Sequence, residues 1–285
     1  MTPRPVHDWR CRGRTLRLGE RARVMGVLNV TPDSFSDGGA FVDPDAALAR
    51  AEEMIAEGAD LIDIGGESTR PGAEPVSLEE ELARTVPVIE KIRAVSDVPI
   101  SIDTTKAEVA ERALEAGADI LNDVSAFEGD PRMVAVAAES GAGVILMHMK
   151  GAPRVMQNDP TYGDVVAEVA AYLKTRVDFA VANGVERAAI MIDPGIGFGK
   201  TDAHNLELLR GLPTLARIAP VLIGASRKSL IGRLLDRADP AERVAGGLGI
   251  AAWATLRGAA VLRVHDVIDT CDVCRIVDTL RAGER

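Results

Sequence analysis

Ile190–Lys200 reads IMIDPGIGFGK and joins an apolar run to a loop rich in glycine. The apolar run has the character of a fully buried strand, and it delivers Asp193 directly into a turn marked by proline and glycine. A carboxylate at the end of a buried strand is costly unless something binds it, so Asp193 is a candidate ligand contact. The glycines that follow leave room for a flat ligand to approach the backbone.

An apolar strand followed by polar residues recurs along the whole chain. The strand candidates are Val24–Val30, Leu61–Gly66, Pro99–Thr104, Ile120–Val124, Gly143–Met149, Ala189–Asp193, Val221–Ala225 and Val261–Val267. Helical periodicity fills the segments between them, with apolar stripes at Leu78, Leu82, Val86, Ile89 and Ile92 and at Val165, Val169, Leu173 and Val177. This repeat, with no break in composition, predicts an α/β protein in which residues 24–285 form a single (β/α)8 TIM barrel domain. A doubly wound parallel sheet is the alternative, although no G-x-G-x-x-G turn follows the first strand.

Residues 1–23 lie outside this repeat. Apolar and polar residues alternate through Trp9–Arg12 and again through Thr15–Leu18, with Gly13 and Arg14 between the two runs. The pattern predicts an N-terminal β-hairpin that precedes the barrel.

Composition limits the class of protein. Of the 285 residues, 47% are hydrophobic and 27% are charged, and the formal net charge of −10 argues against a nucleic-acid partner. The N-terminus has no apolar segment of the kind a signal peptide needs, and the longest weakly polar run, Val244–Leu256, is too short to cross a membrane. Cysteine is scarce, which favours a reducing compartment, so we expect a cytoplasmic protein with no membrane partner. Cys271 and Cys274 have a C-x-x-C spacing but no accompanying second pair, and we interpret them as packing residues of a terminal helix.

The strand candidates begin with small or apolar residues, and polar or ionisable residues lie near or just after their C-terminal ends. Because the active site of such a barrel lies at the C-terminal ends of its strands, the polar residues there are the candidate site. One set supplies mainly hydrogen-bond acceptors, which suit the amino edge of a flat heterocycle: Asp63, Asp103, Asn122 and Asp193. A second set supplies cationic donors, which suit a phosphate or pyrophosphate: Arg70, Lys228, Arg263 and His265. The division indicates a substrate that carries both groups.

A zinc site built from three histidines is disfavoured, because only His148 and His265 fall at strand ends. His148 is as compatible with a structural role as with a ligand contact. An oxygen-liganded Mg²⁺ that bridges a pyrophosphate is compatible with the sequence, with Asn29 as a neutral ligand. The loops after the first two strands run to about ten residues each, longer than most βα loops, and we interpret them as a lid or substrate clamp.

Several motifs, taken together, resemble dihydropteroate synthase. They are NVTPDSFSDGG at 29–39, DIGGESTRPGA at 63–73, SIDT at 101–104, DPGIGFGK at 193–200, SRK at 226–228 and RVHDV at 263–267. The likeness runs from residue 24 to residue 280 in the family's order and spacing. It implies an enzyme of folate biosynthesis in which p-aminobenzoate displaces pyrophosphate from (7,8-dihydropterin-6-yl)methyl diphosphate to give 7,8-dihydropteroate.

The resemblance also implies a role for each site residue. The pterin would be held by Asp103, Asn122, Asp193 and Lys228, in a pocket lined by Met147 and Phe198. The pyrophosphate would be held by Asn29, Arg70, Arg263 and His265, with Mg²⁺ at Asn29. The p-aminobenzoate site would be shaped by Phe35, Thr69, Pro71 and Ser229. The catalytic set would be Asp103, Lys228, Arg263, His265 and Arg70, together with Asp37, which would contact the reacting cation or order the first loop.

Two other functions remain open on the sequence. A pterin-binding barrel that transfers a methyl group from methyltetrahydrofolate to a corrinoid would share the aspartate and asparagine pocket, but it has no need of Arg70, Lys228 or the Arg263–His265 pair. A non-catalytic, pterin-binding paralogue would be expected to lose loop residues that this chain retains. The resemblance and the small residues of 246–254 also imply a homodimer.

Overall fold

The computed structural model describes residues 4–31, 43–68, 75–151, 156–157 and 159–282. The chain begins with the hairpin that its alternation predicts, an antiparallel pair of β1 (His7–Cys11) and β2 (Arg14–Leu18). Its turn lies at Arg12 and Gly13, one residue earlier than expected. Their φ angles of 48° and 79° are the left-handed conformation that a two-residue hairpin turn requires.

Parallel strands follow and make the barrel. They are β3 (Arg23–Asn29), β4 (Leu61–Gly65), β5 (Ile100–Asp103), β6 (Ile120–Asp123), β7 (Gly143–Met147), β8 (Ile190–Asp193), β9 (Leu222–Ile223) and β10 (Val261–Val264). They pair in the order β8-β7-β6-β5-β4-β3-β10-β9. A parallel bridge between Ile192 and Val221 brings the two ends of this sheet together. The predicted TIM barrel with an N-terminal hairpin is confirmed.

Helices cover the outside of the barrel. They are α1 (Pro44–Ala56), α2 (Leu78–Val95), α3 (Ala107–Glu115), α4 (Met133–Ser140), α5 (Val165–Ala182), α6 (Asp202–Arg210), α7 (Leu212–Leu215), α8 (Ser229–Leu235), α9 (Val244–Leu256) and α10 (Val267–Ala282), with 3-10 turns at Arg187–Ala189 and Pro240–Arg243. In the described ranges no helix combines the length and the apolar surface that a bilayer crossing demands. On α10, Cys274 is buried and Cys271 is half-buried, which agrees with their interpretation as packing residues.

Two details differ from the sequence expectations. Strand β10 ends at Val264 rather than Val267, because the backbone N–H of His265 donates to Ser226 Oγ at 3.2 Å instead of extending the ladder. Helix α2 forms as expected, but it is rotated so that Glu81 and Thr85 are fully buried, while Leu82 packs against the core only half-buried. Polar contacts of these two residues favour this rotation. Lys106 Nζ lies 2.5 Å from Glu81 Oε2, and Thr85 Oγ1 donates to the Glu81 carbonyl.

The hairpin closes the N-terminal end of the barrel. Trp9, Cys11 and Leu18 are fully buried there. They pack on the first inward-facing side chains of the strands: Met25, Leu61, Ile120, Ile145, Met191, Leu222 and Val261. Trp9 Nε1 donates to the carbonyl of Ala189 at 2.7 Å, which satisfies its polar group inside this apolar layer. With this end filled, the opposite end of the barrel is the one that carries polar side chains.

Candidate active site

Strand alternation places the predicted polar residues inside the barrel. Leu61, Ile120, Met191 and Val261 belong to the apolar layer under the hairpin. Side chains two residues apart on a strand face the same way, so the next inward-facing side chains are Asp63, Asn122, Asp193 and Arg263. The site is therefore a polar layer stacked directly on an apolar one.

Arg263 is the centre of this polar layer. Its Nε donates to Asp63 Oδ2 at 2.6 Å, and its Nη2 donates to Asp103 Oδ2 at 2.9 Å. Asp63 is fully buried, and both of its oxygens also lie 3.3–3.4 Å from the Asn122 amide nitrogen. Asp63 was expected to read the edge of a heterocycle. In the structure its oxygens are engaged within the barrel, where they orient Arg263 and Asn122.

Asp103 and Asp193 keep acceptor capacity for a ligand. Asp103 Oδ1 is buried and has no hydrogen-bond partner within the described part of the chain. Burial raises the pKa of Asp103 to about 7, even though Arg263 opposes the shift. Asp193 Oδ1 accepts the Gly195 N–H at 2.7 Å, and burial raises the pKa of Asp193 while Lys228 and that hydrogen bond lower it.

Lys228, Phe198 and Met147 gather beside Asp193, as predicted. Lys228 Nζ donates to the Ile196 carbonyl and lies 4.6 Å from the centre of the Phe198 ring. Burial lowers the pKa of Lys228 to about 8. Met147 is paired with Asp193 in the β7–β8 ladder. The group brings together a carboxylate, an ammonium, an aromatic face and a thioether. We call the space bordered by Asp193, Lys228, Phe198 and Met147 the recess.

Asn29 and His265 lie together in a second, more open region. They line a pocket of about 280 Å³ together with Arg50 and Arg227. His265 Nδ1 lies 3.1 Å from Ser226 Oγ, and Arg50 Nη2 donates to the His265 carbonyl at 3.4 Å. The predicted anion site thus contains two guanidinium groups, those of Arg50 and Arg227, to which the sequence analysis assigns no role.

The donors around Asn29 restrict what metal it can hold. Within the described ranges, no group of three or more His, Cys, Asp or Glu side chains is arranged to bind a metal ion. Asn29 offers a single neutral oxygen beside two arginines. That set fits Mg²⁺ only when water and substrate phosphate oxygens complete the coordination, which is how Mg²⁺ commonly binds with nucleotides.

Part of the predicted site lies outside the described residues: Phe35, Asp37, Thr69, Arg70 and Pro71. Ser229 is described, and it is the exposed first residue of α8, directly after Lys228.

Sequence reasoning missed Arg50, Arg227 and Lys200. Arg227 stands next to Lys228 in the same motif, but its pairing with Asp266 through Nε at 3.2 Å is visible only in the fold. Arg50 is in the middle of α1, where nothing nearby in the sequence distinguishes it from a solvated arginine. Lys200 ends the opening motif, yet it is buried rather than solvated.

Several known proteins are similar to this chain in sequence and in fold. Residues 25–265 match the family of pterin binding enzymes. The chain is 51% identical over 263 residues to the dihydropteroate synthase of Synechocystis sp., which covers 92% of this chain and 91% of that protein. The dihydropteroate synthase of Xanthomonas albilineans with 4-aminobenzoic acid superposes with a TM-score of 0.90 at 47% identity, covering 96% of this chain and 99% of the other. The same organism's enzyme in complex with 7,8-dihydropteroate gives a TM-score of 0.87 at 45% identity, with coverage of 98% and 99%.

Proposed function

The chain belongs to the dihydropteroate synthases, pterin-binding transferases of folate biosynthesis, and we propose how its own residues divide the work. The reaction joins (7,8-dihydropterin-6-yl)methyl diphosphate to p-aminobenzoate, forms 7,8-dihydropteroate and releases pyrophosphate. One observation carries the proposal: Asp103 Oδ1 is buried beside Asn122 and Arg263 and lacks a hydrogen-bond partner within the described residues. A buried acceptor of this kind is costly until a ligand donates to it.

The pterin binds in the recess around Asp193. Its amino and ring N–H groups donate to Asp103 and Asp193, and the Asn122 amide reads the same edge. Lys228 donates to an acceptor of the ring, and Phe198 and Met147 contact its faces. The closeness of these side chains around Asp193 supports this arrangement.

The diphosphate lies toward Asn29 and His265. Arg263 forms ion pairs with Asp63 and Asp103, and these two carboxylates offset the positive charge of its guanidinium group. The neighbouring pocket of Asn29 and His265 contains Arg50 and Arg227, whose N–H groups suit phosphate oxygens. Glu53 and Asp266 pair with these two arginines and offset part of their charge. Arg70 would complete the anion site from the second loop.

The bond between the pterin methylene carbon and the diphosphate oxygen breaks, and a bond from that carbon to the amine nitrogen forms. Departure of pyrophosphate leaves positive charge delocalised over the pterin, which the carboxylates of Asp103 and Asp193 stabilise. The cations near Asn29 stabilise the departing anion. The aryl amine is already a free nucleophile near neutral pH, so the site needs no strong base. The amine loses its extra proton after the new bond has formed.

Mg²⁺ at Asn29 belongs to the same proposal. Asn29 would hold the ion, which would supply charge neutralisation for the departing pyrophosphate. The p-aminobenzoate site is proposed at Ser229 together with Phe35, Thr69 and Pro71 of the two long loops.

A homodimer is also proposed. Its support is an apolar surface on α8, α9 and α10, where Leu234, Trp253, Ile276 and Leu280 are 42–65% exposed. Exposed Ala245 and Gly249 precede Trp253 at helical spacing, so small residues would allow a second copy to approach closely. Light scattering during size-exclusion chromatography tests it, and the mass of a single chain would contradict it.

The reaction is tested by mixing the protein with the dihydropterin diphosphate, p-aminobenzoate and Mg²⁺. We expect equal amounts of pyrophosphate and 7,8-dihydropteroate. An Asp193→Asn variant is expected to bind 6-hydroxymethyl-7,8-dihydropterin at least tenfold more weakly, because it replaces a buried carboxylate acceptor. A folded wild-type protein that makes neither product would refute the activity. Unchanged pterin affinity in Asp193→Asn would refute the pocket assignment alone.

The same assay addresses the two alternatives. A corrinoid methyltransferase would consume methyltetrahydrofolate and leave the diphosphate intact. A non-catalytic paralogue would bind the pterin without turnover.

A further inference from the structure

Lys200 is a lysine that the proposed reaction does not use, and it is 1% exposed. Its ammonium donates to the Phe198 carbonyl at 2.8 Å and to the His148 carbonyl at 3.2 Å, and it lies 2.9 Å from His148 Nδ1. An ammonium has three protons to donate, and these three acceptors match them. The three contacts join two separate segments, the loop after β8 and the end of β7.

The glycine loop after β8 is pressed against the segment that follows β7. A Cβ on Gly195 would lie 2.0 Å from the His148 carbonyl oxygen, and one on Gly199 would lie 2.2 Å from the Lys150 carbonyl oxygen. Both glycines have positive φ, 68° and 62°. At this contact Lys200 donates to the buried His148 carbonyl, and it also donates to the Phe198 carbonyl of the loop.

His148 completes this contact as a neutral ring. Burial and the positive charge of Lys200 lower the pKa of His148 to about 3. A neutral ring that accepts from Lys200 at Nδ1 carries its proton on Nε2. His148 Nδ1 is therefore an acceptor for the Lys200 ammonium.

The loop is also held from its other side. Lys228 donates to the Ile196 carbonyl and sits over the Phe198 ring, inside the pterin recess. Lys200 holds the Phe198 carbonyl from behind that recess. Phe198 thus contacts two lysines, Lys228 at its ring and Lys200 at its backbone carbonyl.

We propose that Lys200 is a positioning residue for the pterin, which fixes Phe198 and the Gly195–Gly199 loop against the end of β7 and so preforms the recess beside Asp193. The inference rests on the pterin site proposed above. Lys200 does not touch the pterin, and it acts through Phe198. Burial raises the pKa of Asp193, and the charge of Lys200, like that of Lys228, opposes this rise.

The test compares Lys200→Met with Lys150→Met. Lys150 follows the same strand, but its side chain is 44% exposed and its ammonium lies 4.2 Å from the Tyr162 ring centre, outside the recess. We expect Lys200→Met to weaken the affinity for 6-hydroxymethyl-7,8-dihydropterin about 10- to 100-fold, the effect of losing hydrogen bonds to a charged donor. The KM for p-aminobenzoate at saturating pterin should change less than about twofold. Lys150→Met should match the wild type in both.

Pterin affinity equal to wild type in a folded Lys200→Met protein would overturn the inference. So would a parallel rise in both substrates' KM, because a general loss of structure does not distinguish the two sites. If Lys200→Met does not fold, the same affinity measurement on Lys200→Gln tests the inference, because the glutamine amide can still donate to one carbonyl. Its pterin affinity should fall by a smaller factor, and an unchanged value would count against the inference. The proposed function fails separately, if the wild type and Lys150→Met make no 7,8-dihydropteroate.

Discussion

Removing the guanidinium of Arg263 should destabilise the barrel, and the effect should depend on pH. Arg263→Met takes away the donors at 2.6 and 2.9 Å from Asp63 and Asp103. Asp63 is fully buried, so the variant leaves its carboxylate inside the barrel without a charged partner. Removing one member of a buried ion pair typically costs about 3–5 kcal/mol, because the remaining charge is left unpaired.

Proton uptake limits this cost. A carboxyl group with an ordinary pKa of 3.8 can be neutralised for about 1.4 kcal/mol per pH unit above that value, which is about 6 kcal/mol at about pH 8 and about 2 kcal/mol at about pH 5.5. The pKa of Asp103 is already raised by burial, and loss of Arg263 raises it further. The native variant therefore holds a proton that the unfolded chain releases, so its stability falls as the pH rises. We expect a loss of about 3–5 kcal/mol near pH 8 and about 2 kcal/mol or less near pH 5.5.

Urea unfolding of the wild type and variant at both pH values measures this difference. Arg227→Met is the matched control, because Arg227 pairs with the single carboxylate of Asp266 and its side chain is 37% exposed. An ion pair of that exposure contributes about 1 kcal/mol or less. If Arg263→Met loses no more stability than Arg227→Met near pH 8, or if its loss grows at acid pH, the charge balance argued for the barrel interior is wrong.

Two further predictions concern the anion pocket and the hairpin. Arg50→Leu should weaken inhibition by added pyrophosphate about three- to tenfold while leaving pterin affinity unchanged, because it removes one cation from the pocket of Asn29 and His265. Arg112→Leu is its control, since Arg112 also pairs with a glutamate three residues on but lies on exposed surface, and equal inhibition constants in the two variants would contradict the assignment. Trp9→Ala should cost about 3–5 kcal/mol of unfolding free energy by leaving a cavity under the barrel, with both KM values within about twofold of wild type. A KM that differs from wild type by more than about twofold would show that the hairpin is coupled to the site.

The positions of the barrel residues were predictable because they depend on local periodicity. Alternation along each strand requires Asp193 and Arg263 to face inward once Met191 and Val261 do. Strand order then follows from the repeat of strand and helix. Those rules need no knowledge of what lies across the barrel.

Pairing across the barrel was not predictable in this way. Asp63 and Arg263 are 200 residues apart in sequence, and their contact depends on the relative height of β4 and β10 around the closed sheet. For this reason the sequence pattern places Asp63 with the ligand acceptors, whereas in the fold its carboxylate accepts from Arg263 and Asn122. The burial of Lys200 was not predictable for a related reason. A lysine after a glycine loop is usually solvated, and Lys200 is buried because that loop packs on the end of β7.

The polar layer and the apolar layer depend on each other. A polar layer of Asp63, Asp103, Asp193 and Arg263 inside the barrel leaves only the opposite end for apolar packing between the strands. That end would be open to water if the chain began at β3, because its seven inward-facing side chains are mostly large and apolar. The hairpin covers them with Trp9, Cys11 and Leu18 at full burial, and its apolar contacts offset part of the cost of holding charges in the layer above. The N-terminal extension thus supports a charged layer that it does not touch.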